Sequence, residues 1–149
     1  MKKIFLLASF VVAMSLNLFA QNDTVYYISF KESMGSWSID DKVKPEAVST
    51  IWQQTAQYGM KASAYVGGVK HVTESWFMSA PLDLTSCTSL KMEFNQALNY
   101  ATPDYVSVKI TKDGANWETL TVPNLPEGNS WTFVQSGEID ITSYISDKT

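Results

Sequence analysis

The chain holds no arginine, a single cysteine and a single histidine among its 149 residues. Each shortage excludes something. Cys87 alone cannot close an internal disulfide, so the core has to hold the fold, and the thiol reads as a small buried hydrophobe. His71 alone rules out a multi-histidine metal site, and its setting, Lys70-His71-Val72-Thr73-Glu74, lacks zinc-ligand spacing and reads as loop. Positive charge comes only from lysine and is outnumbered, giving a net charge of −4. Nucleic-acid binding needs a basic stripe, so nucleic acid is excluded as a partner, and an anionic membrane surface is disfavoured for the same reason. No Gly-x-Ser-x-Gly nucleophile elbow, internal repeat or low-complexity tract is present.

Long apolar runs are also missing, except at the start. Lys2 and Lys3 precede an apolar stretch over residues 4–13, and Leu18-Phe19-Ala20 offers a cleavage site before Gln21. This pattern predicts a signal peptide over residues 1–20. The run is shorter than the roughly 20 apolar residues of a spanning helix. The expectation is therefore a protein that is secreted or held at the cell surface, with no membrane insertion after signal removal. No cysteine follows the run, so a lipoprotein anchor at this end is not expected. Residues 21–149 then form one domain with nine lysines against fifteen carboxylates, a net charge of −6. A domain of that length can bury a self-sufficient core.

What is present is short β-branched and aromatic runs between clusters of Gly, Pro, Asn, Asp and Ser, without sustained 3.6-residue periodicity. Strands are predicted over residues 24–30, 37–39, 51–55, 60–66, 74–79, 89–97, 105–111, 117–122 and 131–141. Residues 40–47 read as a charged loop and residues 81–84 as an extended edge, which suits Pro81. Gly67-Gly68 breaks a strand, and Asp113-Gly114 supplies the turn of a hairpin. The fold class predicted is all-β, a jelly-roll-like antiparallel β-sandwich. The last residues bring no closing strand, so the expectation is a sandwich lacking its last strands and leaving a sheet edge open.

Several blocks carry a family resemblance: Tyr58-Gly-Met-Lys-Ala-Ser-Ala-Tyr65, Glu74-Ser-Trp-Phe-Met-Ser-Ala-Pro-Leu-Asp-Leu84, Asp113-Gly-Ala-Asn-Trp117, Gly128-Asn-Ser-Trp-Thr-Phe-Val134 and Gly137-Glu-Ile-Asp-Ile141. Together they resemble the choice-of-anchor J domains, relatives of the cleaved-adhesin domains of secreted Gram-negative anaerobe proteins. The resemblance spans residues 24–149. It implies a jelly-roll module of surface or secreted proteins that serves adhesion or carbohydrate association, without catalysis. Members continue past the position of Lys148 with further strands, and they carry Glu directly after the first-strand Phe. Here Phe30 is followed by Lys31 and then Glu32.

Candidate chemistry falls into three groups. Five Trp and seven Tyr exceed what a modest core needs. Sugar rings stack on such side chains while Asn, Gln and Asp bond their hydroxyls. Trp52, Tyr58 and Tyr100 are the ligand-binding candidates, whereas Trp37, Trp76, Trp117 and Trp131 read as core. Glu32, Asp40 and Asp41 cluster within ten residues and are the candidate ligands of a structural Ca²⁺. Glu138 with Asp140, on one strand face, and Asp40 with Asp41 are the acid pairs weighed for glycoside hydrolysis; neither has a recognisable catalytic setting, and they read as a solvated strand face and a soluble loop instead. Lys112-Asp113-Gly114-Ala115-Asn116-Trp117 resembles the turn of a sialidase Asp-box, in which the acid caps the turn and the Trp packs beneath it. It occurs once, so it reads as a turn alone. Asp23-Thr24-Val25 fits a short O-glycosylation pattern. The functional expectation is a non-catalytic adhesion or carbohydrate-binding module with a glycan or surface protein as partner. The alternative is a structural spacer or protein–protein interaction module, with a glycoside hydrolase role third.

Overall fold

The computed structural model describes residues 24–149; the predicted signal peptide and Asp23 of the glycosylation pattern lie outside the described residues. The first half of the chain runs β1 (Ser38–Val43), β2 (Trp52–Thr55), β3 (Gly59–Ala62), β4 (Tyr65–Val66), β5 (Val69–Lys70) and β6 (Glu74–Met78). The second half runs β7 (Lys91–Met92), β8 (Asn95–Asn99), β9 (Val108–Ile110), β10 (Glu118–Leu120), β11 (Asn129–Gln135) and β12 (Ile139–Asp140), with short 3₁₀ turns at Pro103–Tyr105 and Thr142–Tyr144. Every ladder is antiparallel. The fold is an all-β sandwich, as its sequence predicts. Among the described residues no helix is long and apolar enough to cross a membrane.

Two apolar clusters hold it together. In the first half, Phe30, Trp37, Trp52 and Phe77 stack ring on ring, with centroids 4.7 to 5.4 Å apart. Phe77 on β6 lies opposite Ile39 on β1, which brings the rings onto that ladder. Phe30 meets Trp37 and Phe77 edge-on, and aromatic pairs in such geometry contribute about 0.5–1.5 kcal/mol each beyond their buried area. In the second half, Ile110, Ile139 and Ile141 are buried, with Leu90, Met92, Phe94, Leu120, Val122 and Tyr144 packed against them. The alternation of Leu90, Met92 and Phe94 noted in the sequence therefore does face the core.

Several local expectations change, among them the strand over residues 60–66, which is split into β3 and β4, and that over residues 105–111, which begins only at Val108. Residues 24–30 form no ladder: the Ser29 carbonyl accepts from the N–H groups of Glu32 and Ser33, turning the chain at Phe30. Side chains hold the segment instead, with the Tyr26 hydroxyl accepting from the Trp37 indole at 3.0 Å. Asp40 and Asp41 lie within β1 and not in a loop. Finally, the strands foreseen over residues 89–97 and 131–141 are each cut in two, at Phe94 and Ser136 respectively. Those two residues exchange bonds directly: Phe94 N–H donates to Ser136 Oγ at 3.0 Å, and Ser136 N–H donates to the Phe94 carbonyl at 2.9 Å. Phe94 opposite Ser136 links the β8–β11 ladder to the β7–β12 ladder, so Lys91–Asn99 and Asn129–Asp140 form one long ribbon with shifts of register along it.

Turns follow the sequence more closely. Gly67 and Gly68 join β4 to β5 with φ of 59° and 85°, the two positive angles of a type I′ hairpin. Residues 81–84, expected as an edge, are partly covered by residues 146–149: Leu84 N–H donates to the Ser146 carbonyl at 2.9 Å and Leu82 N–H to that of Thr149 at 2.6 Å.

Candidate ligand-binding surface

The longest strand, β11, is also among the most exposed, and its pairing explains why. Ser130 sits opposite Leu98 and Val134 opposite Gln96, so Trp131, Thr132 and Phe133 together face Ala97 alone. Surplus residues in one strand arch it away from its partner and re-aim its side chains. The Ser130 side chain pins the arch: its hydroxyl accepts from Thr132 N–H at 3.0 Å and donates to Thr132 Oγ1 at 2.8 Å. As a result Trp131 and Phe133, which alternation alone would send inward, are 42% and 44% exposed.

Other elements bring partners to these rings. In the β2–β3 hairpin, Thr55 Oγ1 accepts from Tyr58 N–H at 3.1 Å and donates to the Gly59 carbonyl at 3.2 Å, closing the turn over residues 56–58. Tyr58 is thereby set beside Trp131, with ring centroids 5.9 Å apart and planes tilted by 32°. The Lys61 ammonium lies 5.5 Å from the Trp131 ring centre, and that of Lys31 lies 6.0 Å from the Phe133 ring centre. Gln54 steadies the backbone under Lys31, donating from Nε2 to the Lys31 carbonyl at 2.8 Å and the Phe30 carbonyl at 3.2 Å. Lys61 also lines an open cleft of about 370 Å³ with Gln53, Ser63 and Tyr65. One lysine thus joins an aromatic strip to a cleft of mixed lining, where the Gln53, Ser63 and Tyr65 side chains sit among Val48, Ile51 and Val66. Flat rings beside polar hydrogen-bonding groups suit a ligand with apolar faces and a hydroxylated rim.

The candidates named from the sequence are scattered. Trp52 belongs to the core: its ring packs 5.4 Å from Phe77, and its indole nitrogen is buried without a partner. Tyr58 is half-buried and forms part of the strip. Tyr100 is 80% exposed at the end of β8, with a φ of 62° that is unusual for any residue but glycine. Of the four tryptophans read as core, Trp37 is core, whereas Trp131 is displayed. Trp117 is 38% exposed and stands edge-on to Trp76 at 5.5 Å.

The calcium candidates do not converge. Neighbouring strand positions point to opposite faces, so Asp40 and Asp41 separate. Asp40 pairs with Lys42 at 2.5 Å, while Asp41 accepts from the Ser75 hydroxyl and from Ile51 N–H at 3.2 Å, tying β1 to β6 and to the approach of β2. Glu32 is exposed in the turn after Phe30. Among the described residues no group of three or more His, Cys, Asp or Glu side chains stands ready to hold a metal. The pair of Glu138 and Asp140 does not resemble a glycosidase dyad either. Glu138 is paired with Lys91, and hydrogen bonds from the Thr142 hydroxyl and N–H hold the Asp140 carboxyl below its usual range, whereas a proton-donating acid needs the opposite shift.

Carboxylates in this fold act as turn caps, and that gives a pH dependence. Asp113 accepts from Asn116 N–H at 2.8 Å, Asn116 Nδ2 at 2.6 Å, Ala115 N–H at 2.8 Å and Thr111 Oγ1 at 2.9 Å, and these bonds hold its carboxyl far below the ordinary range. Bonds from Thr85 lower Asp83 in the same way. At Asp41 burial pushes upward, but the bonds from Ser75 and Ile51 and the charge of Lys44 leave the net shift downward. A carboxyl depressed in the fold stabilises it fully above the unfolded pKa of about 3.9, and that contribution is lost as pH falls toward the folded value. Urea unfolding midpoints are therefore expected to hold steady from pH 7 to about pH 5 and to fall between about pH 4 and pH 2. Asp113→Ala should flatten part of that fall, and an unchanged profile would contradict the capping role.

No family profile, curated protein or solved structure matches the chain.

Proposed function

We propose that this chain is a secreted, non-catalytic module that holds a glycan on the aromatic strip of Trp131, Phe133 and Tyr58. The observation that carries the reading is the arch in β11. The ladder gives up regular pairing there, a serine side chain stabilises the irregularity, and the outcome is two large apolar rings held toward solvent beside a cleft that offers hydrogen-bonding side chains. Leaving such rings half in water forgoes hydrophobic stabilisation, which is a reason to read the arrangement as serving a ligand. The resemblance to choice-of-anchor J domains, and the export signal expected over residues 1–20, support this reading and a location at the cell surface or outside it.

Affinity electrophoresis of residues 21–149 through gels containing soluble polysaccharides tests this. Retardation by at least one polymer is expected, and Trp131→Ala should weaken it by about tenfold or more, as truncating a central aromatic anchor does. Thermal melting of the variant should stay close to that of the parent, because the ring is displayed and not core. Retardation by no polymer, or retardation indifferent to Trp131, would leave the glycan reading without support.

A further inference from the structure

The strip combines its rings with cations. Lys61 and Lys31 stand over Trp131 and Phe133 at 5.5 and 6.0 Å, within the range where an ammonium is attracted to a ring face. Among the other described lysines two are ion-paired, Lys42 with Asp40 and Lys91 with Glu138, and Lys109 stands alone over the Trp76 ring at 5.1 Å; only the β11 strip gathers two such cations. Among the described residues neither Lys61 nor Lys31 has a carboxylate within 4.0 Å. In a chain where acids outnumber lysines fifteen to eleven, two cations without acidic partners on one aromatic strip are a local reversal of sign. Cation–π attraction leaves an ammonium's charge uncancelled and available to an incoming anion.

We infer that the ligand is an acidic glycan, with Lys61 and Lys31 meeting its carboxylate or sulfate groups while its sugar faces lie on Trp131 and Phe133. Lys61 is the better placed of the two, since it also lines the cleft, where Gln53, Ser63 and Tyr65 supply hydrogen-bonding groups for the hydroxyls beside the acid. A neutral glycan would leave both ammonium groups without a counter-charge. A nucleic acid could also offer anions and flat faces, but the chain carries a net negative charge and no arginine to fork onto phosphates.

This inference rests on the glycan reading, and the experiment separates the two. Retardation is measured with polygalacturonate, alginate and chondroitin sulfate, with fully methyl-esterified polygalacturonate as the same backbone without charge, with neutral xylan and laminarin, and with oligothymidylate. At least one acidic polymer should be held more strongly than every neutral one, and added salt should narrow the difference. Lys61→Met and Lys31→Met should each weaken that binding by roughly twofold to fivefold, the scale of an exposed ion pair. Lys61→Arg should restore it, and each lysine change should cost more binding to the acidic polymer than to any neutral one. If neutral and acidic polymers are held alike, or if only neutral ones are held, the acidic assignment fails while the glycan reading stands. If no polysaccharide is held, both fail. Oligothymidylate held as strongly as the best acidic polymer would overturn the assignment in favour of a general polyanion surface.

Discussion

Gly128→Ala is expected to destabilise the protein by roughly 3–5 kcal/mol, read from urea unfolding at neutral pH. Two costs add at this position. Gly128 has a φ of 89°, where an L side chain is strained, and a Cβ placed there would lie 1.8 Å from the Ala101 carbonyl oxygen and 3.0 Å from its carbon. The obstacle is backbone, so no side-chain rotation relieves it. Gly114 is the natural control: its φ is 73°, yet nothing lies within 4 Å of its Cβ position, so Gly114→Ala carries the conformational cost alone, about 1 kcal/mol. Equal losses at the two sites would mean that the Ala101 backbone yields to the added methyl at no cost. The position also bears on function. Gly128 immediately precedes the Asn129 to Asn99 pairing from which the β11 arch is measured, so chain displaced here moves Trp131 as well. A variant that still folds should therefore bind more weakly than its stability alone would indicate.

The sequence carried the fold class and most of the turns because these depend on local chemistry. Period-two alternation at Leu90, Met92 and Phe94, the Gly67-Gly68 pair and the Asp113 cap all act within a few residues. What was not legible depends on register. The direction in which Trp131 points is set by how many residues of β11 face Ala97, a relation between segments more than thirty positions apart. Read as a regular strand, Trp131 and Phe133 share a face with each other and look like core. The signal available was Ser130-Trp131-Thr132, a serine two residues before a threonine flanking an aromatic, which can cap an irregular turn as readily as it can sit in a strand. Trp52 was misplaced for the converse reason. Neighbouring Gln53 and Gln54 give it a polar setting, yet Gln53 turns to the cleft while Gln54 spends its amide on the carbonyls of Phe30 and Lys31 beside the core rings. The acids at Asp40 and Asp41 were read as loop ligands because a charged pair is rare in a strand. Lys42 and Ser75 make them tolerable there.

Ser136→Ala should cost about 2–4 kcal/mol, large for removing a single oxygen. Ser136 has no exposed surface at all, and its hydroxyl has two tasks: it accepts from Phe94 N–H at 3.0 Å and donates to the Gly137 carbonyl at 2.9 Å. Alanine deletes both, leaving a backbone donor and a backbone acceptor without their partner beside a fully buried side chain, where an unmade bond costs more than a made one contributes. The junction is also where the two ladders of the long ribbon meet, between the Gln135 to Asn95 and Ile139 to Met92 pairings. Ile139 and Ile141 enter the aliphatic core just beyond it, so a loosened Ser136 loosens the cluster they share with Ile110. Hydrogen exchange separates this account from a general loss of packing. In Ser136→Ala the Phe94 amide should lose protection beyond the global change, while the amides of the β1–β6 ladder should track global stability alone. Uniform loss across both clusters would mean that the hydroxyl acts only by filling space.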